Sequence, residues 1–441
     1  MIDKEELEAD VDDVKGYAAH LVPYAQTVLR WFAISVCVGI PCGLLGSAFH
    51  IGVHYATEFR EAHPWVLYTL PAAGLLCVAI YKLFESEGLS TDSVIEQVQD
   101  GEGLRLKLLP AIFLSTIVTH LAGGSVGREG AALQMGGTIG LGAGRLFKLD
   151  EPDTSTATLA GMAAFFSALF GTPVGATIFA MAVINVGTLY HVAFVPCFIA
   201  SITAYGISLR CGVEPTRFAV AAPAVEPLMV LKVALLAWFC AMLSVVFCEV
   251  LHKTEHAVRA HVANPWIRAA AGGAVLIVLS LAVGTGDYNG AGMDVVVRAV
   301  EGGQASPAAF ILKMLFTVIT LSVGFKGGEV VPCFFMGATF GCVVGPLLGI
   351  PAGFAAAVGL ISMFCASVNC PIASMVLAVE MFGAEGIVFY ALACGLAFAL
   401  SGYTGLYSSQ RIVFDKLKPQ RIDVHANAYH EGGFERHKHE G

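Results

Sequence analysis

GGSVGREGAALQMGG, residues 123–137, sets an arginine beside a glutamate in a chain that is 56% hydrophobic and only 13% charged. Long apolar runs flank the stretch on both sides. Ionisable side chains in such a setting are costly to keep and tend to mark ion pathways. The glycines around the pair break one apolar run and open another, so the charges stand at the start of a helix.

Outward from this point the chain, 441 residues with a mean hydropathy of +0.73, reads as a series of apolar stretches. A hydrocarbon core of roughly 30 Å needs about 20 helical residues, which several of them supply. The fold class is therefore all-α, a polytopic protein of the lipid bilayer, multi-pass in the cell membrane. The first long run, residues 30 to 53, lies too far in and is too long for a cleavable signal peptide. The net charge of −9 comes largely from the ends, in MIDKEELEADVDD and at Glu431, Glu435 and Glu440, and describes solvated tails. No basic patch with interleaved aromatics points to nucleic acid. The twelve cysteines lie mostly inside apolar segments without a CxxC pair, as small buried hydrophobes. His425, His430, His437 and His439 have irregular gaps in a charged tail, so neither a metal site nor any cofactor is expected. Arg105, Lys107, Arg411, Lys416, Lys418 and Arg421 carry the positive excess and assign their loops to the cytoplasm.

Residues 4 to 27 read as a short amphipathic helix on the membrane surface, within a cytoplasmic N-terminal segment at 1–27. Apolar stretches follow at about 30 to 53, 64 to 84, 106 to 124, 131 to 147, 156 to 170, 173 to 188 and 190 to 211. A polar, proline-bearing stretch at 212–227 reads as a linker. Beyond it come 228 to 251, 266 to 284, 307 to 324, 331 to 349, 352 to 368, 371 to 383 and 385 to 401. The expected units are thus a first transmembrane repeat at 28–211, the linker, a second repeat at 228–410 and a cytoplasmic tail at 411–441. Several stretches are too short to span and are broken by glycine or proline. Lipid tolerates that only where exposed backbone lines a protein cavity, as in transporters.

The two halves repeat. FLSTIVT (113 to 119) aligns with MLFTVIT (314 to 320), pairing Thr116 with Thr317 and Thr119 with Thr320. Downstream, Glu129 aligns with Glu329 and Gly137 with Gly337. Further on, Gly161, Phe166, Pro173 and Ala180 align with Gly359, Phe364, Pro371 and Ala378. The repeat puts GREG (127 to 130) and GFKGGE (324 to 329) at equivalent helix starts. Helix N-termini carry free N–H groups and the positive end of the dipole, so two of them converging make a site for a small anion.

GREG with its GGTIG helix, GFKGGEVVP, the helix starts at Pro173 and Pro371, and LSGYTGLYSSQ (400 to 410) together resemble the CLC family of chloride channels and anion/proton antiporters. The resemblance implies a homodimer of inverted-repeat subunits with broken and re-entrant helices, each with its own anion path. It implies that Glu129 is the gating glutamate that competes with the anion and carries the proton, and that the Tyr407 hydroxyl meets the anion. The anion-binding set it implies is Ser90 or Thr91, Gly127, Arg128, Gly130, Gly328, Val330, Val331 and Tyr407, with Arg128 pairing locally and anchoring its loop. The departures are LSTDSVIEQ (89 to 97) in place of a GSGIP-like stretch, an acid at Glu329, and Val183 where many chloride antiporters have a carboxylate. They are similar to the fluoride/proton antiporter branch. Fluoride exchanged for protons is the expected activity, with Glu129 and Glu329 handling protons; a chloride channel or chloride/proton antiporter is the alternative. An enzyme is not expected, for want of a nucleophile and base at workable spacing. Lys326 stands near Glu329 as a candidate partner, while Glu380 and His120 read as structural groups.

Overall fold

The computed structural model describes the backbone of residues 4–428 and the side chains of residues 23–428. Apolar runs free of internal stops become helices, and glycine and proline set their ends. The first half holds α1 (Lys4–Ala62), α2 (Leu70–Leu83), α3 (Thr91–Asp100), α4 (Leu108–Ala122), α5 (Glu129–Leu146), α6 (Glu151–Phe170), α7 (Pro173–Ala182) and α8 (Phe194–Arg210). The second holds α9 (Pro227–His261), α10 (Pro265–Val283), α11 (Met293–Val300), α12 (Ala309–Ser322), α13 (Val330–Leu347), α14 (Ala352–Val368), α15 (Pro371–Phe382) and α16 (Ile387–Leu400). Among the described residues, six helical segments are long and apolar enough to cross a membrane.

Equivalent helices run in opposite directions. Pro64 and Leu67, just before α2, line one cavity, and Tyr81 at its far end lines another; α10 reaches the second cavity at Arg268 and the first at Ser280. The second half is therefore inverted with respect to the first, as the repeat requires. Close crossings of α5 on α6 and of α13 on α14 form the centre. They depend on glycine: a Cβ on Gly161 would collide with the Gly136 carbonyl, and one on Gly359 with the Gly337 carbonyl. Small residues at such contacts let helix backbones approach where no hydrophobic effect drives them together.

These crossings correct the repeat register. Gly136, not Gly137, is the counterpart of Gly337. Helix starts agree, running from Leu108 to Ala309 and from Glu129 to Val330, an offset of 201 residues. On that offset Glu129 corresponds to Val330, and Glu329 corresponds to Arg128. The alignment of Glu129 with Glu329 is off by one because identical letters happen to fall one position apart, whereas hydrogen bonding and packing fix the helix phase.

Three other expectations change. No stop separates 4 to 27 from the first span; α1 continues through Pro23, and between residues 24 and 30 there is no glycine or asparagine to end it. Two short helices, α3 and α11, have too few apolar residues to register as stretches, yet pack by one face. The tail is not bare: β1 (Asn185–Val186), β2 (Arg411–Phe414) and β3 (Arg421–His425) form a small sheet, with β1 and β2 parallel and β2 and β3 antiparallel. His425 lies in β3, whereas His430, His437 and His439 lie outside the described residues, as do Glu431, Glu435 and Glu440. Residues 211–226 are without helix or strand, and their backbone bonds to both halves, Thr216 N–H to the Phe170 carbonyl and Phe218 N–H to the Met381 carbonyl.

Candidate functional site: two helix starts between two vestibules

The loops before α5 and α13 meet face to face. Gly127 N–H donates to the Gly328 carbonyl at 2.6 Å and Gly328 N–H to the Gly127 carbonyl at 2.8 Å, a two-bond antiparallel bridge on the repeat axis. A side chain at residue 328 would run into the Gly130 backbone nitrogen, and one at 130 would lie 2.9 Å from the Gly328 Cα. Glycine is needed here so that two helix N-termini can come together.

Glu129, the first residue of α5, is fully buried at this junction. Its carboxylate accepts from the Arg128 N–H at 2.9 Å and is faced by the amides of Glu129 and Val331, so it draws on the starts of both helices. A carboxylate thus takes up N–H groups of the kind that helix starts offer to anions in general. Arg128 pairs locally, with Nε 3.5 Å from Glu129 Oε1 and Nη1 3.0 Å from His50 Nδ1. Val330, the counterpart of Glu129, is fully buried in the equivalent place.

Two cavities approach the junction from opposite sides. The first, about 900 Å³, is lined by His50, Arg60, Arg128, Asp287, Asp294 and Val331 among others; the second, about 550 Å³, by Thr91, Gln134, Lys326, Glu329 and Tyr407. Neither is lined by Glu129 or Val330, which lie between them. Glu329 is the N-cap of α13, and its Oε2 is buried without a hydrogen-bond partner among the described residues. The Tyr407 hydroxyl is likewise buried and unpartnered. Leu406 N–H, donating to the Ser367 carbonyl at 2.8 Å, fixes the tyrosine's loop.

Ser90 and Thr91 have different fates. Ser90 is the N-cap of α3, and its hydroxyl accepts from the Asp92 N–H at 3.2 Å. Thr91 is buried at the site, its Oγ1 accepting from Gln134 Nε2 at 3.2 Å. Lys326 forms no ion pair with Glu329 among the described residues; its ammonium lies 4.3 Å from the centre of the Tyr81 ring. Glu380 is structural, accepting from the Val174 and Gly175 N–H groups at 3.1 and 2.7 Å and so capping α7. His120 lines neither cavity, and its Nδ1 sits 2.9 Å from the Thr116 carbonyl. Val183 is buried, and its carbonyl accepts from Gln410 Nε2 at 2.9 Å.

Sequence reasoning passed over three groups here. Gln134 was inside the quoted stretch, four residues after Gly130 and hence on the same helix face. His50 gave no signal without knowing which helix packs on Arg128. Lys313 is fully buried on α12 and donates to the Gly290 and Tyr288 carbonyls at 2.7 and 3.3 Å, holding the loop that borders the first cavity.

The family model described as voltage gated chloride channel matches residues 73–402. The chain belongs to that family. It is a multi-pass protein of the cell membrane. A chloride/fluoride channel protein of Pseudomonas syringae pv. tomato is 33% identical over 405 residues, 90% of this chain and 89% of that one. The H(+)/Cl(-) exchange transporter ClcA of Yersinia pestis is 27% identical over 392 residues, 82% of each. The crystal structure of a CLC-type fluoride/proton antiporter superposes with a TM-score of 0.83 at 29% identity, covering 87% of this chain and 98% of that one.

Proposed function

We propose that the chain is a secondary active antiporter exchanging a small halide, fluoride, for protons, with Glu129 as the protonatable gate. The observation that carries this reading is the Glu129 carboxylate seated on two helix starts, between residues that line two separate cavities while it lines neither. An anion and this carboxylate compete for one set of N–H donors. Displacing the carboxylate favours its protonation, and returning it expels the anion. Glu329 supplies the second proton-carrying group, where an acid beside an anion path is tolerable only if it holds a proton. Fluoride, the most basic halide and the strongest hydrogen-bond acceptor among them, suits a site offering Thr91 and Tyr407 hydroxyls and an acid. The similarity to proteins described as a chloride/fluoride channel protein and a fluoride/proton antiporter supports the same assignment. On the distribution of loop lysines and arginines, the second cavity faces the cytoplasm. The working unit is a homodimer, each subunit carrying its own path.

The test is flux from liposomes. Purified protein should move fluoride faster than chloride and drive protons the opposite way, read with ion electrodes and a lumenal pH dye. Equal anion rates with proton movement would favour the chloride/proton exchange named for the Yersinia relative. Anion flux without protons would favour a channel.

A further inference from the structure

Gln134 presents a chemical inconsistency in an anion path. It is 5% exposed, lines the second cavity, and commits its amide nitrogen to Thr91 at 3.2 Å. That bond fixes the side-chain amide with its carbonyl oxygen free, and this oxygen has no hydrogen-bond partner among the described residues. A buried acceptor left unpaired is destabilising and repels an anion. Only a hydrogen donor relieves it.

Glu329 Oε2 is the complementary orphan. It lies 3.1 Å from the point a Cβ on Gly130 would occupy, and Thr91 Oγ1 lies 3.5 Å from the same point, so Glu329, Thr91 and the Thr91-bound amide gather at the start of α5. Two oxygens that both lack a donor become satisfied together when one carries a proton. The other charged or titratable groups lining this cavity are Glu87, Asp92, His252, Glu255, Arg259, Arg268 and Lys326, together with the Cys77 thiol and the Tyr81 and Tyr407 hydroxyls.

We propose that Gln134 is the docking acceptor for the Glu329 proton: pinned through its nitrogen on Thr91, it receives the O–H of the protonated Glu329 carboxyl through its free carbonyl. The Glu329 carboxylate takes its proton from hydronium in the cavity, leaving water, and no other bond forms or breaks. Because Thr91 Oγ1 accepts from Gln134, the threonine O–H remains available to the anion. The proton and the anion are then held side by side at the blind end of the cavity. Gln134 is a positioning residue for proton loading, and the assignment rests on the antiport reading above.

The experiment uses full-length protein in liposomes under a fluoride gradient, with the proton-to-fluoride ratio as readout. Gln134→Met, close in shape but without an acceptor oxygen, should lower the ratio by about threefold or more, the net worth of one hydrogen bond. In the Glu329→Gln background it should lower the ratio no further, while in the Tyr407→Phe background its effect should persist. An unchanged ratio in Gln134→Met, alongside loss of coupling in Glu329→Gln, overturns the proposal and leaves the antiport reading standing. An effect that vanishes with Tyr407→Phe overturns it in favour of the tyrosine as donor. Full coupling in Glu329→Gln removes the role of Glu329 in antiport and this proposal with it. If Gln134→Met does not assemble, Thr91→Val serves: it frees the amide to turn and should lower the ratio, and an unchanged ratio overturns the proposal.

Discussion

Arg128 and Glu329 hold the same position in the two halves, the N-cap of the helix that starts at the junction, and they carry opposite charge. Inversion sends the first into one cavity and the second into the other. One step further on, Glu129 and Val330 are again equivalent, and here only one half carries an ionisable group. The backbone of the junction is nearly symmetric, bridged by Gly127 and Gly328, while its side chains are not. A symmetric scaffold supplies N–H donors to an anion from both sides. The asymmetry distinguishes the two sides, with a cation lining one cavity, an acid lining the other and a second acid at the junction.

The largest expected effect follows from removing the charge that only one half has. Glu129→Gln keeps the shape and fills the junction with a permanently neutral group, so proton coupling should fall to the background of empty liposomes while the protein remains folded. Proton pumping that survives in this variant breaks the comparison at its centre.

The symmetric part should be intolerant in a different way. In Gly328→Ala the new methyl meets the Gly130 backbone nitrogen, which cannot yield without separating the two helix starts. The expected destabilisation is about 3 kcal/mol, the upper end of ordinary over-packing. It would be read as a lowered thermal midpoint in detergent together with loss of transport. A wild-type midpoint would mean that the bridge is not what holds the halves in register.

Much of this was legible in the sequence, for reasons that also explain what was not. Long apolar runs identify spanning helices because lipid leaves the backbone no other hydrogen-bonding solution, and the paired GREG and GFKGGE breaks located the junction. The register was misread because GREG and GGE share a glutamate at similar places, whereas the helix starts and the Gly136–Gly161 and Gly337–Gly359 crossings reveal the helix phase. The choice between Ser90 and Thr91 depended on which of them caps α3, and capping is a matter of one residue. The sheet of β1, β2 and β3 joins residues more than two hundred positions apart through strands as short as two residues, too short for any pattern to announce.

A smaller asymmetry concerns α7 and α15, which are equivalent in the repeat. Glu380, on α15, caps the start of α7, whereas the corresponding residue on α7 is Ala182 and no side chain among the described residues caps α15. Glu380→Gln keeps an acceptor but loses the charge-assisted bonds to the Val174 and Gly175 N–H groups. It should cost about 1 kcal/mol in thermal stability without changing the proton-to-anion ratio. A change in the ratio would move Glu380 from the frame of the protein into its transport path.

The smallest expected effect lies where the two halves end differently. α6 ends on Gly171 and α14 on Asn369, both left-handed, and the asparagine adds a side chain that the glycine lacks. Its amide donates to Gln410 Oε1 at 3.0 Å, and its oxygen accepts from Lys416 Nζ, which also donates to Ser401 Oγ at 2.9 Å and lies 4.6 Å from the centre of the Phe398 ring. The tail is thereby fastened to the second half through a lysine that forms no ion pair among the described residues. Burial pushes the Lys416 ammonium down to about 7 from an ordinary value of 10.5. Between those values the docked tail binds fewer protons than a free one, so docking strengthens as pH rises through the window and is weakest below about 7. Limited proteolysis of the β2–β3 turn should therefore slow by about tenfold between pH 7 and pH 9. Lys416→Met should flatten that dependence. A turn cut equally fast at both pH values in the wild type would show that the lysine keeps its charge when docked, and that Asn369 and Ser401 alone compensate it.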